Sequence, residues 1–418
     1  MRKILEIAFL LTLFVVWGCT CLFETAHARD EIVLGVATSL TTLEGGECLK
    51  AVQLAVEQIN GAGGVRMGMR RLPLRVEAVD LRDASPSTPL SSALERLDRF
   101  LTDRTVDAVL VGFFRSEALL AGMEMIARHR IPFLGTIAMS PASEAKIIRS
   151  SRFRYFFRLG LNSKYLVEYL IQTMKFLKER FGISKVHILS QDVAWARTTV
   201  SLLMKLYFER AHWEVLGLDN IPMGVADFTE NLARARAKGA ELILPIFDMP
   251  ESEALVRQWK QSENPALLCG FISPMVGPGA WRGFQGRIAG ALSVVFELGN
   301  VPSAAYAPAM RFYRAYEERF GRAVEAGHGP APAYDSVFVL AEAVERAGTL
   351  EPDALVAALE RTDRQGAMGR IRFHRGHQTV FGEDPREEAL ACVIQWTQDG
   401  ERRVVYPPSI SEGEIQLP

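Results

Sequence analysis

His374 and His377 lie three positions apart, and two imidazoles at that spacing could begin a metal site. No cysteine or carboxylate joins them at zinc-like spacing, so they read as exposed histidines of a turn. Other enzyme constellations are missing too. Gly61-Ala62-Gly63-Gly64 follows an expected helix instead of opening one, which argues against a phosphate loop or a dinucleotide fingerprint. Neither a Gly-x-Ser-x-Gly elbow nor a His-Glu-x-x-His helix occurs. What remains suits the holding of a small molecule. The Arg115 guanidinium can grip a carboxylate with two parallel hydrogen bonds, or pair instead with Asp83. Asp248 follows a strand-like run and precedes Pro250, so it could receive an ammonium group or cap the helix starting there. We expect no catalytic residue, no metal and no cofactor.

Such residues need a rigid frame, and strand and helix signals alternate from Glu31 onward. Ile32-Val33-Leu34-Gly35-Val36 is a β-type run; Leu49, Val52, Val56 and Ile59 then repeat at helical steps, and Asn60-Gly61 offers a left-handed stop. Further units are expected at Leu74 to Val79 with Leu90 to Leu101, at Ala108 to Val111 with Glu117 to His129, and at Pro132 to Leu134. A second series runs from the strand Lys185 to Leu189 and its helix Thr198 to Ala211. It continues through strands at Val215 to Leu218, Leu242 to Ile246 and Leu267 to Gly270, with helices near Phe228 to Lys238 and Glu251 to Gln261. The last third predicts helices at Ala304 to Phe320, Tyr334 to Ala347 and Pro352 to Thr362. Strands follow at Arg370 to Phe373 and Leu390 to Trp396, and Asp399-Gly400 turns a hairpin into Arg402 to Tyr406. Two doubly wound α/β halves are implied, each presenting the loops at the carboxyl ends of its strands to a shared crevice.

Composition and the N-terminus bound the setting. Met1-Arg2-Lys3 precedes an apolar run from Ile7 to Trp17, shorter than the roughly 20 residues that span a bilayer. Ala26-His27-Ala28 is a signal-peptidase pattern, so we expect residues 1–28 to be a signal peptide and the mature chain to be soluble outside the cytoplasm. Val16-Trp17-Gly18-Cys19 is a competing lipoprotein box, although Trp17 occupies a small-residue position; an uncleaved anchor is the third alternative. Roughly 390 mature residues are enough for two domains. A formal net charge of −1 gives no global handle for nucleic acid or anionic membranes. Cys48, Cys269 and Cys392 are scattered and odd in number, which predicts buried thiols, not a disulfide framework.

Several stretches recur together in one family. They are Ile32-Val33-Leu34-Gly35-Val36 with Ser39, and Gly45 through Gly64 ending in Gln58-Ile59-Asn60-Gly61-Ala62-Gly63-Gly64-Val65. The others are Asp80 with Pro86, Val111-Gly112 before Ser116, Ile131-Pro132-Phe133 before Ala138-Met139-Ser140-Pro141, and Asp227-Phe228-Thr229. In order and spacing the chain resembles the type I periplasmic binding proteins, in particular the leucine/isoleucine/valine-binding family. The resemblance implies two Rossmann-like lobes joined by a three-strand hinge, with crossings near Arg158-Leu159, Phe296 and Gly369. Lobe one would take residues 29–157 and 297–368, and lobe two 158–296 and 369–418.

It also implies a cleft. Ser116 and the stretch Ile137-Ala138-Met139-Ser140 stand where relatives hold a ligand's carboxylate and ammonium. Ser116 could instead cap its helix, and Met139 could fill an apolar gap. Trp195 stands where an aromatic lid is common, with buried packing as the alternative. Ile272 occupies the position of the acid that many relatives use for the ammonium. Either Asp248 replaces that acid or the ligand lacks an amino group, in which case Arg115 would hold its carboxylate. Phe113, Phe114 and Phe247 would line the cleft or face the core. The implied function is an extracytoplasmic solute-binding protein of an ABC importer that takes a branched-chain or other hydrophobic amino acid, or a related carboxylate. A ligand-sensing module that signals to a membrane receptor is the alternative. The implied partners are a small ligand and an ABC transporter permease, with no nucleic acid, and the implied state is a periplasmic monomer.

Overall fold

The computed structural model describes residues 30–85, 87–103 and 105–417. The expected signal peptide and the Cys19 box lie outside the described residues. Near-continuous apolar runs make strands that are buried on both faces, which favours parallel sheets covered by helices. The first sheet has five strands in the order β4-β1-β5-β6-β7: β1 (Ile32–Thr38), β4 (Leu74–Asp80), β5 (Ala108–Val111), β6 (Phe133–Gly135) and β7 (Phe156–Arg158). All its pairs are parallel. A short hairpin, β2 (Val65–Met67) with β3 (Arg70–Leu72), stands apart.

The second sheet has seven strands in the order β16-β15-β12-β11-β10-β8-β9. Its parallel part is β8 (Lys185–Gln191), β9 (Glu214–Ile221), β10 (Leu242–Phe247), β11 (Leu267–Ile272) and β12 (Leu292–Val295). β15 (Cys392–Trp396) adds antiparallel to β12 and forms the expected hairpin with β16 (Arg402–Tyr406). The expected strand near Arg370 is β14 (Gly369–Ile371); it pairs with β13 (Arg364–Gly366) instead of joining either large sheet.

Helices follow the strands: α1 (Leu43–Gly61), α2 (Leu90–Asp103), α3 (Ser116–His129), α4 (Ala142–Arg149), α5 (Ser163–Phe181) and α6 (Ala194–Leu203). Then come α7 (Thr229–Ala237), α8 (Glu253–Gln261), α9 (Ala280–Gly283), α10 (Ala307–Phe320), α11 (Pro330–Ala347) and α12 (Pro352–Leu359). α1 runs through Gly61, and the left-handed residues are Gly63 and Gly64, at φ 95° and 80°, two positions later than expected. Asn60 is engaged elsewhere: its side chain donates to the Leu74 carbonyl and accepts from the Leu74 amide, tying the helix end to the start of β4. α5, with 19 residues, was not anticipated, although the Asn162 side chain caps it by accepting from the Lys164 and Tyr165 amides.

Three segments run side by side between the sheets. The Leu161 amide donates to Glu297 at 3.0 Å, and the Leu298 amide donates to the Leu390 carbonyl at 2.7 Å. Residues 377–379 pair with the end of β7, with Arg158 bridged in parallel to Gln378.

Two other expectations resolve here. Cys48, Cys269 and Cys392 are buried free thiols, as anticipated. His377 is not an exposed turn residue. It is 5% exposed, stacks on Phe157 at 4.0 Å between ring centroids, and contacts the Phe156 carbonyl and Glu360 through its two nitrogens. Among the described residues no cluster of three or more His, Cys, Asp or Glu could hold a metal ion.

Candidate ligand-binding cleft

The loops at the carboxyl ends of β1, β4, β5 and β6 form one wall. After β1 the chain turns so tightly into α1 that a Cβ on Gly45 would sit 2.1 Å from the Ser39 carbonyl oxygen; only glycine fits there. That turn places Glu44 in the first turn of α1, 6% exposed and facing the other lobe. At the end of β5, Val111 and the following Gly112 both take positive φ, 72° and 80°, and a Cβ on Gly112 would come within 2.5 Å of the Phe133 ring. A β-branched residue in this region is strained, and the strain sits beside the cleft.

Asp83 holds the strained turn. Its buried carboxylate accepts from the Ser39 hydroxyl (2.8 Å) and from the amides of Phe114 (2.8 Å) and Arg115 (3.0 Å). Burial raises its pKa above the usual aspartate range, against the pull of those hydrogen bonds. The Arg115 side chain goes elsewhere: its guanidinium donates to the Thr88 carbonyl at 3.1 Å.

Ser116 opens α3 and is 1% exposed. Its hydroxyl accepts from the amides of Met139 (3.2 Å) and Ser140 (3.1 Å), so it fastens the loop after β6 instead of capping its own helix. The Ser140 carbonyl in turn accepts from Arg158, and the Ile137 carbonyl contacts His328 at 2.7 Å. Ile137, Ala138, Met139 and Ser140 are all buried; of these, Ile137 and Met139 line the cavity between the lobes.

The second wall comes from lobe two. Trp195, in the first turn of α6, is 6% exposed and donates its indole N–H to Asp248 at 2.8 Å. Its ring meets Phe271 and Phe296 edge to face, at centroid distances of 6.2 and 6.5 Å. Phe247 and Ile272 do not reach the cavity. Cross-strand neighbours in β10 and β11, they point together into the second core cluster, where Phe247 packs on Phe228. Side chains alternate along a strand, so the residue before Ile272, Phe271, is the one that faces the cleft.

The walls enclose an inner cavity of about 20 Å³, lined by Glu44, Phe114, Ile137, Met139, Trp195, Asp248, Phe271, Phe296 and His328. That is room for one water-sized group. A larger cavity of about 680 Å³ shares Glu44, Phe114 and Asp248 with it and opens toward Ser39, Arg82, Ser87, Met249 and Ser273. The lobes touch across the cleft: the Ser273 hydroxyl donates to Glu44, and the Ala194 amide donates to Glu117.

Glu44, His328 and Phe271 are not among the site residues expected from the sequence, and Phe296 is expected only as a crossing between lobes. Glu44 looks like an ordinary acidic residue in a first helical turn, and His328 like a loop residue before α11. In the cleft their environment is unusual. Burial, then the nearby Glu44, pushes the Asp248 carboxyl up to about 6. Burial also raises the Glu44 carboxyl, although the Ser273 hydroxyl stabilises its charged form. Burial works against a charge on His328, yet Glu297 at 2.9 Å and the Ile137 carbonyl outweigh it and leave its pKa raised.

A family model described as periplasmic binding protein matches residues 32–383. The chain belongs to the periplasmic binding protein family. Membership implies a periplasmic location, and among the described residues no helix is long and apolar enough to cross a membrane. The Leu/Ile/Val-binding protein homolog 7 of Brucella suis is 23% identical over 395 residues, covering 90% of each chain. A putative branched-chain amino acid ABC transporter protein from Silicibacter pomeroyi superposes with a TM-score of 0.78 at 15% identity, covering 93% of this chain and 99% of its own. The substrate binding protein LivJ of Streptococcus pneumoniae, in complex with isoleucine, gives 0.74 at 18% identity over 90% and 100% of the two chains. A solute binding protein of R. palustris in complex with benzoate gives 0.73 at 15%, over 92% and 98%. These likenesses carry the two-lobed type I architecture.

Proposed function

We propose that this binding protein captures a small ligand between its lobes, closes on it by rotation about the three connecting segments, and delivers it to the membrane permease of an ABC importer. The observation that supports this most directly is the shared cavity. Glu44, Phe114, Ile137 and Met139 come from one wall and Trp195, Asp248 and Phe271 from the other, so a ligand seated there touches both lobes. Closure is driven by contacts the ligand gains only in the closed state.

The lobe division proposed from the sequence, 29–157 with 297–368 and 158–296 with 369–418, needs one adjustment. Because residues 377–379 pair with the end of β7, we place the third boundary close to Leu390. We also propose a periplasmic monomer, exported by residues 1–28 and released by cleavage after Ala28. Intact mass of exported material tests this, and a chain beginning at a lipid-modified Cys19 would overturn it. The resemblance points to a branched-chain or other hydrophobic amino acid, or a related carboxylate. Relatives support that breadth, with isoleucine in LivJ and benzoate in the R. palustris protein.

The importer role is tested in cells. A thermal-shift screen finds the ligand, since a molecule bound only by the folded state raises its stability. Deleting the gene should then abolish uptake of that ligand. Undiminished uptake would overturn the importer role.

A further inference from the structure

We propose that the ligand is an organic cation carrying a primary ammonium group and no carboxylate, its ammonium seated between Glu44 and Asp248 within the rings of Phe114, Trp195, Phe271 and Phe296. This rests on the interlobe cleft being the ligand site, and departs from the amino acid or carboxylate to which the resemblance points.

The inner cavity has the size of an ammonium head and is walled by four aromatic rings, the surroundings that attract a cation through the negative faces of the π systems. Two carboxylates reach it from opposite lobes. Ser273 donates to Glu44, and Trp195 and Gln191 hold Asp248 through their side chains. A carboxylate offers about four lone-pair sites, so both retain acceptors for the three N–H groups of an ammonium. The larger cavity shares Glu44, Phe114 and Asp248 with the inner one and takes the rest of the molecule.

A carboxylate finds nothing equivalent. Among the described residues no lysine or arginine lines the inner cavity. Ser116, 1% exposed, lines neither cavity, and both nitrogens of His328 are engaged by Glu297 and the Ile137 carbonyl. Arg115 donates to Thr88, buried Arg158 to Ser140 and Ser143, and Arg82 at the outer rim pairs with Asp80 at 3.2 Å. An α-carboxylate beside the seated ammonium would face two acids, and the cationic group that lines the inner cavity, His328, is already held by Glu297 and the Ile137 carbonyl, so leaving the carboxylate desolvated and unpaired is expensive.

The test uses the full mature protein and two sets of compounds with matched skeletons, followed by calorimetry: isoamylamine, leucine and 4-methylpentanoate, then phenethylamine, phenylalanine and 3-phenylpropionate. The expected result is that both amines bind, each at least about tenfold tighter than its amino acid, and that neither acid binds. Glu44→Gln and Asp248→Asn should each weaken amine binding by about tenfold or more, with thermal unfolding of the ligand-free variants confirming that they fold. An amino acid or acid that binds tighter than its amine overturns the proposal, as does silence from both amines. Trp195→Ala separates the two levels. If the tightest compound loses affinity in that variant, the cleft is the site and only the cation assignment has failed; if it keeps full affinity, the cleft reading fails first.

Discussion

The loop at residues 137–140 and the Glu44–Asp248 pair border one cavity, yet their polar groups are in opposite states. The loop's Met139 and Ser140 amides are taken by Ser116 and its Ile137 and Ser140 carbonyls by His328 and Arg158, so these groups are engaged without a ligand. The acids are buried or partly buried, lie near each other in charge, and keep acceptors unused. The difference separates scaffold from receptor within one family site. Under the proposal above, the loop at which the resemblance points is scaffold, and the receiving groups are Asp248 and Glu44, of which the resemblance does not mark Glu44.

The sharpest break of that contrast is Ser116→Ala. Two buried amides would lose their acceptor, and each unsatisfied donor costs about 1–3 kcal/mol. A stability loss of roughly 2–4 kcal/mol is expected by urea denaturation. Unchanged stability with weakened binding would return Ser116 to the ligand. Next comes Trp195→Ala, which removes an aromatic wall and the donor to Asp248. It should cost on the order of 1 to 3 kcal/mol of binding, about ten- to a hundredfold, and blunt ligand-induced compaction in small-angle scattering. Full affinity and full compaction would show that the wall is misassigned.

A further effect, on the order of 3 kcal/mol, concerns pH. Asp248 is raised from 3.8 to about 6, so its contribution to folding is fully present below its unfolded value and is lost as pH rises through about 6. Wild type minus Asp248→Asn, measured as unfolding free energy in the ligand-free protein, should therefore fall between about pH 4 and 7. Glu44 and His328 face the same cavity and Glu297 stands behind His328. Glu44→Gln, which removes a neighbouring negative charge, should move the midpoint to lower pH. A flat difference would show that Asp248 titrates normally.

How far the sequence reached follows the physics of each signal. Most strands of both sheets are legible because apolar runs of four to eight residues between turn residues have few other uses, while the short β7 and β12 are not among those expected. α5 carries an equally clear signal, from Asn162 at its start to Gly182 in the left-handed region at its end (φ 73°), although it is not among the expected helices. The site was harder. Along a strand a shift of one residue reverses the face, so Ile272 and Phe247 were named where Phe271 was the residue needed. Glu44 carries no local signal, since an acid in a first turn is ordinary; only the Ser39 turn and the opposite lobe make it unusual.

The smallest expected effect is the most discriminating for ligand chemistry. The Arg115 guanidinium donates to Thr88, while its Nε is buried without a hydrogen-bond partner among the described residues. The carboxylate that could have paired with it, Asp83, accepts from the Ser39 hydroxyl and two backbone amides. Arg115→Ala therefore removes one neutral acceptor contact, worth about 0.5–1.5 kcal/mol, and also relieves a buried unpaired donor. Stability should change by about 1 kcal/mol or less, and affinity by less than about twofold. The alternative is that the side chain swings from Thr88 to a ligand carboxylate on binding. Affinity would then fall by more than about tenfold in Arg115→Ala, and Arg115→Lys would not rescue it, because an ammonium lacks the planar fork that holds a carboxylate with two bonds. That outcome would place an anion receptor beside the acids and dissolve the contrast between the two halves of the cleft.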